Sequence, residues 1–130
     1  MKLNPECLRD ILLEIENASE MSKLVDLTGS EPRLLKYNIN EVKDHVYECY
    51  KNRFFEDKTK YSDSLDCPIG NLSTIARNFI ENTRSERSWT NTKLAVKRFP
   101  SFPLRVLARV AAAFAESVAH DELHSREPRA

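Results

Sequence analysis

His45 and Cys49 stand four residues apart, a spacing that sets an imidazole and a thiol on one face of a helix. With Cys7 or Cys67 they could begin a zinc site, which needs three or four convergent nitrogen and sulfur ligands. No CxxC pair and no HxxxH with accompanying cysteines completes the set, so both side chains read as core positions. His120 and His124 repeat the spacing in HDELH, but the glutamate is misplaced for HExxH. There is no GxSxG elbow, and with 2 glycines in the chain a tight nucleophile turn has little to be built from. Asp63 and Asp66 fall in a polar stretch with no apolar surroundings to raise a carboxyl pKa. The expectation is a non-enzymatic protein with no metal and no cofactor.

The remaining chemistry is anion contact. Formal net charge is zero, yet the charges are unevenly placed. Residues 1–60 and 116–130 are each slightly acidic, whereas residues 61–115 hold 8 basic and 4 acidic side chains. Between Arg77 and Arg109, eight cations face only Glu81 and Glu86. Such asymmetry marks either an anionic partner or a solvated helix face. The candidates for nucleic-acid contact are Lys58, Lys60, Arg77, Arg84, Arg87, Lys93, Lys97 and Arg98. Trp89 lies among them, and its reading as a core side chain outweighs that of a base-stacking platform.

These residues need a scaffold. The 130 residues suit one domain, and 41% apolar composition is enough for one core. Scarce glycine disfavours folds rich in tight turns and strands. The opening MKLNPECLRD has no apolar run of signal-peptide length, and the apolar stretch at 110–115 is too short to cross a bilayer. Three scattered cysteines do not suggest a disulfide framework, so a reducing, cytoplasmic setting is expected.

Asn4, Pro5 and Glu6 form a helix start, followed by Cys7, Leu8, Ile11, Leu12 and Ile15 at helical spacing; the helix should fade near Asn17. Leu24, Val25 and Leu27, then Leu34, Leu35 and Tyr37, suggest short extended pieces around a Gly-Pro loop. Asn40 reads as the cap of a second helix carrying Val42, Val46, Cys49 and Tyr50. Residues 56–71 read as two short strands joined by a polar tip. Ser73 should cap a helix with Ile75, Ala76, Phe79 and Ile80, and another should run from about Ser85 to before Pro100. The last helix opens at Ser101 or Phe102, with Pro103 in its first turn. Its stripe of Leu104, Leu107, Val110, Phe114 and Val118 suits either the core or a partner or homodimer interface. The expected organisation is a single domain over 1–120 with a charged, flexible tail at 121–130.

Particular segments resemble a known family. The start MKLNPECLRDILLEIE, the stretch YNINEVKDHVYEC, and Leu72, Ser73, Phe79, Ile80, Arg84, Trp89 and Lys93 are similar to the bacterial and phage family DUF2513, as is the late stretch SFPLRVLARVAAAF. The resemblance spans nearly the whole chain except 18–36 and 56–68. Ala76 and Arg77 stand where the family usually shows Gly-His, and Phe54 and Phe55 replace a glycine-containing helix end. The resemblance implies a mostly α (α+β), winged-helix-like domain with a small β-hairpin wing and additional C-terminal helices, often phage or prophage encoded. It brings no established activity.

Two functions follow as expectations. One is a phage-type accessory regulator that binds duplex DNA through the hairpin lysines and the cations of residues 77–98. The candidate recognition helix, residues 41–51, counts against this, because its three acids and two lysines suit phosphate poorly. The other is a non-catalytic protein–protein interaction module acting through the C-terminal helix on a host or phage protein.

Overall fold

The side chain of Asn4 accepts hydrogen bonds from the backbone N–H groups of Glu6 (3.1 Å) and Cys7 (3.4 Å), the arrangement of an N-cap. Helix α1, Pro5–Glu20, follows and runs about one turn beyond its expected end. The computed structural model describes residues 2–20, 32–56 and 72–126. Over these residues the order is α1, a 3-10 turn at Pro32–Leu34, α2 (Ile39–Lys51), α3 (Thr74–Asn82), α4 (Glu86–Val96) and α5 (Leu104–Arg126).

Local sequence explains each start. Asn38, not Asn40, caps α2, its side chain accepting from the Asn40 N–H. Ser73 and Ser85 cap α3 and α4 by accepting from the N–H groups of Ala76 and Ser88. Helix α5 begins one residue after Pro103, whose carbonyl accepts from the N–H groups of Val106 and Leu107. It continues through Arg126, so residues 121–126, expected as a flexible tail, are helical.

Helix α2 ends in a Schellman motif. The Phe54 N–H reaches the Cys49 carbonyl at 2.9 Å and the Arg53 N–H reaches that of Tyr50 at 3.2 Å. Arg53 occupies the left-handed position with φ 60°, where glycine is the usual residue.

The expected winged-helix-like, mixed α+β fold is corrected by this arrangement. The described residues form five α-helices and no strand, and β-pairing among them is one isolated antiparallel bridge between Phe55 and Leu72. That bridge cannot grow on its inner side. Ser73 donates to the Phe54 carbonyl at 2.8 Å and at once caps α3, while Phe54 closes the end of α2. The expected extended piece at Leu34, Leu35 and Tyr37 is instead a turn. The Tyr37 N–H bonds back to the Leu34 carbonyl, and the Tyr37 hydroxyl donates to Asp10 on α1 at 2.6 Å. Leu24, Val25, Leu27, and the hairpin residues 57–71 with Lys58, Lys60, Asp63, Asp66 and Cys67, lie outside the described residues.

Helix α1 is the centre of the core. Cys7, Leu8, Ile11, Leu12 and Ile15 are fully buried, and α1 packs on α2, the 3-10 turn and α3. Helix α5 lies along α4 and against α3. Phe79 meets Phe54 at a tilt and Trp89 in a T-shaped pair, each at 6.2 Å between ring centroids. Buried hydroxyls are satisfied by backbone carbonyls: Thr83 donates to the Phe79 carbonyl and Thr92 to that of Ser88, while Ser88 on α4 donates to that of Asn82 at the end of α3. Among the described residues no helix is long and apolar enough to cross a membrane.

Candidate nucleic-acid interface

Of the residues singled out for metal chemistry, His45, Cys7 and Cys49 lie in the core. His45 is fully buried; its Nδ1 lies 2.7 Å from the Glu41 carbonyl, and its Nε2 accepts from the Asn4 N–H at 2.8 Å. Cys7 and Cys49 are buried free thiols. Burial, then the nearby carboxylates Glu41 and Asp10, push Cys7 up to about 12, and burial likewise raises Cys49. Such thiols are inert. No group of three or more His, Cys, Asp or Glu side chains able to hold a metal ion occurs among the described residues.

Trp89 is buried. Arg9 and Lys93 stack on its ring at 5.1 and 5.4 Å, so no base could stack there. Arg9 also donates to the Thr83 hydroxyl and carbonyl, which ties α1 to the turn between α3 and α4.

Three of the expected cations are engaged in ion pairs, and Lys58 and Lys60 lie outside the described residues. Arg84 grips both carboxylate oxygens of Glu16 on α1, at 2.9 and 3.0 Å, and contacts Glu81 at 2.6 Å. Lys93 pairs with Glu6 on α1, and Arg87 pairs with Asp121 on α5 at 3.1 Å. These half-exposed pairs add little stability. They do cancel the charge that the sequence seemed to offer an external phosphate. Lys97 and Arg98 are exposed at the end of α4 and form no ion pair among the described residues.

Unpaired positive charge gathers elsewhere. Two adjoining cavities, of about 330 and 800 Å³, open beside α3 and share Arg53 and Ile75 in their walls. Lys51 and Arg105 complete the basic side of the first, and Arg77 that of the second. Glu56 is the one carboxylate lining either cavity. Lys51 is held by Glu48 at 3.0 Å, whereas Arg53, Arg77 and Arg105 have no carboxylate partner among the described residues. The Arg77 Nε donates to the Leu72 carbonyl at 3.1 Å, which steadies its guanidinium beside the first turn of α3. The helix dipole there favours an anion as well. In the middle stands Ile75, 52% exposed.

Of the three arginines lining these cavities, the sequence reading named Arg77 as a candidate and did not name Arg53 or Arg105. The available signal for Arg53 was its place at the end of the second helix, next to the Phe54 and Phe55 that replace a glycine-containing helix end.

The C-terminal stripe is largely internal. Leu104, Leu107 and Val118 are buried, and Val110 and Phe114 are half-buried. Helix α5 therefore has little free apolar surface along this stripe for a second chain.

A family model described as the hypothetical protein family DUF2513 matches residues 2–103, and the chain belongs to that family. The match stops before α5, so the late stretch from Leu104 onward, which also looks family-like, lies outside it. No curated protein and no solved structure matches the chain.

Proposed function

We propose that this chain is a non-catalytic accessory regulator that binds duplex DNA through the cleft around Ile75. Arg53, Arg77 and Arg105 would contact phosphate oxygens. One observation carries the reading: these three arginines gather on one open surface without carboxylate partners among the described residues, while Arg84, Arg87 and Lys93 are neutralised. Guanidinium groups suit phosphate because their planar fork donates two parallel hydrogen bonds.

Fluorescence anisotropy with random duplex DNA across a salt series tests the reading. Binding should weaken steeply with salt, with a log–log slope of about −0.9 for each phosphate contact. Arg53→Glu and Arg105→Glu should each flatten the slope and lower affinity, whereas Arg87→Glu should change neither. Equal effects at all three positions, or no binding in about 50 mM salt where phosphate contacts are strong, would rule the reading out.

The exposed Ile75 favours a second reading, a protein-interaction module. An acidic partner segment with one apolar side chain would cover Ile75 and meet the same arginines. Ile75→Asp should abolish that binding while leaving a purely phosphate-based contact only modestly weakened.

A further inference from the structure

A third cavity, of about 230 Å³, lies where the start of α1 meets the end of α4. It shares no lining residue with the cleft around Ile75. Leu3, Val96, Phe99 and Phe102 supply apolar walls. Phe99 is 54% exposed, so an aromatic face stays open to solvent beside the cavity.

The rim is cationic. Lys2, Lys93 and Lys97 line it against a single acid, Glu6, and Glu6 is taken by Lys93. Lys2 and Lys97 have no ion-pair partner among the described residues. The N-terminal end of α1 adds a partial positive charge at Pro5 and Glu6.

We infer that this cavity binds a small amphipathic carboxylate, its apolar body against Phe99 and Phe102 and its carboxylate between Lys2 and Lys97. The volume is below the roughly 300–1,000 Å³ of drug-sized sites, which fits one ring on a short chain. A bare phosphate would leave the apolar walls uncovered. A neutral apolar ligand would leave the two ammonium groups without a counter-charge.

The test is a two-dimensional amide NMR titration of the full chain with 3-phenylpropionate, and separately with 3-phenylpropanamide. The acid should shift the amides of Leu3, Glu6, Lys97 and Phe99 saturably. The neutral amide should bind at least about tenfold more weakly, the factor that corresponds to losing one modest charge-assisted contact. Lys97→Glu should remove the preference for the acid. Phe99→Asp should weaken both ligands, and because Phe99 is exposed, its spectrum should remain dispersed. Absence of saturable shifts up to about 5 mM, a concentration that would reveal even weak binding, overturns the inference. So does equal binding of the two ligands, or a shift pattern centred on Ile75 and Arg105.

Discussion

The backbone N–H of Asn4 donates to Nε2 of His45, joining residues 41 positions apart at the point where α1 begins. The donor can only give a proton and the Glu41 carbonyl opposite Nδ1 can only accept one, so the ring must be neutral with its proton on Nδ1. The Asn4 side-chain amide donates to the Glu41 carboxylate at 2.8 Å, so the cap is held twice by α2. His45→Ala would strand the part-buried Asn4 N–H at a cost of about 1 kcal/mol or more, before any cavity is counted. Urea denaturation should show that loss, and long-range nitrogen–proton NMR should show the Nδ1-protonated tautomer in the native protein. A drop below about 0.5 kcal/mol, typical of a neutral surface change, would contradict this account.

Arg53 separates stability from binding. Its left-handed backbone costs roughly 1 kcal/mol that glycine would not incur, although glycine loses more chain entropy on folding. Arg53→Gly should therefore leave thermal stability equal or raise it by up to about 1 kcal/mol. The same substitution should weaken DNA binding and reduce the salt slope by about one contact. Thermal melts and anisotropy on one protein sample check both outcomes.

Alkaline behaviour follows from three groups. Cys7 and Cys49 are raised chiefly by burial, and Tyr37 by burial and by its hydrogen bond to Asp10. An acid whose folded pKa is raised contributes stability that is complete below its unfolded pKa and is lost as pH climbs toward the folded value. Stability should thus decline above about pH 8.5 as unfolded thiols ionise, and further above about pH 10 for tyrosine. At about pH 8, the native protein should yield no more than one of its three thiols to an aromatic disulfide reagent, and all three after unfolding. Rapid release of two or three would place Cys7 or Cys49 at an accessible position.

Helix α5 lies beyond the residues matched by the family model, yet it completes the core. Leu104 and Leu107 are essentially fully buried, and each such side chain contributes about 1.5–3 kcal/mol. Two of them already amount to a large part of a typical 5–15 kcal/mol domain stability. A chain ended at residue 103 should lose its cooperative melt and its near-ultraviolet circular dichroism from Trp89.

Much of the helical scaffold was legible because caps and apolar period are local signals. Ser73, Ser85 and the face of α1 fell where their spacing put them. The fold class was not legible in the same way. The hairpin was read from the polar stretch at 56–71 and a family analogy made it a wing, while nothing local in Phe55 or Leu72 distinguishes one bridge from a longer ladder. Reading the cations failed for a different reason. Lys93 is neutralised by Glu6, 87 residues away, and Arg84 by Glu16, 68 residues away. No window along the chain contains both members of either pair, so the basic stretch looked free. Arg53 and Arg105 went unnoticed because they join only when α2 and α5 are set on either side of Ile75.

The same long-range pairs bear on synthesis. Of the described helices α1 is made earliest, and it must wait for distant partners: Thr83 for Arg9, Arg84 for Glu16 and Lys93 for Glu6. Until α4 has cleared the exit tunnel, α1 carries an apolar face of Leu8, Ile11, Leu12 and Ile15 with only part of its cover. The α1 stripe therefore stays partly open until α3 and the turn after it have been made, and folding of this core must wait for contacts of long sequence separation.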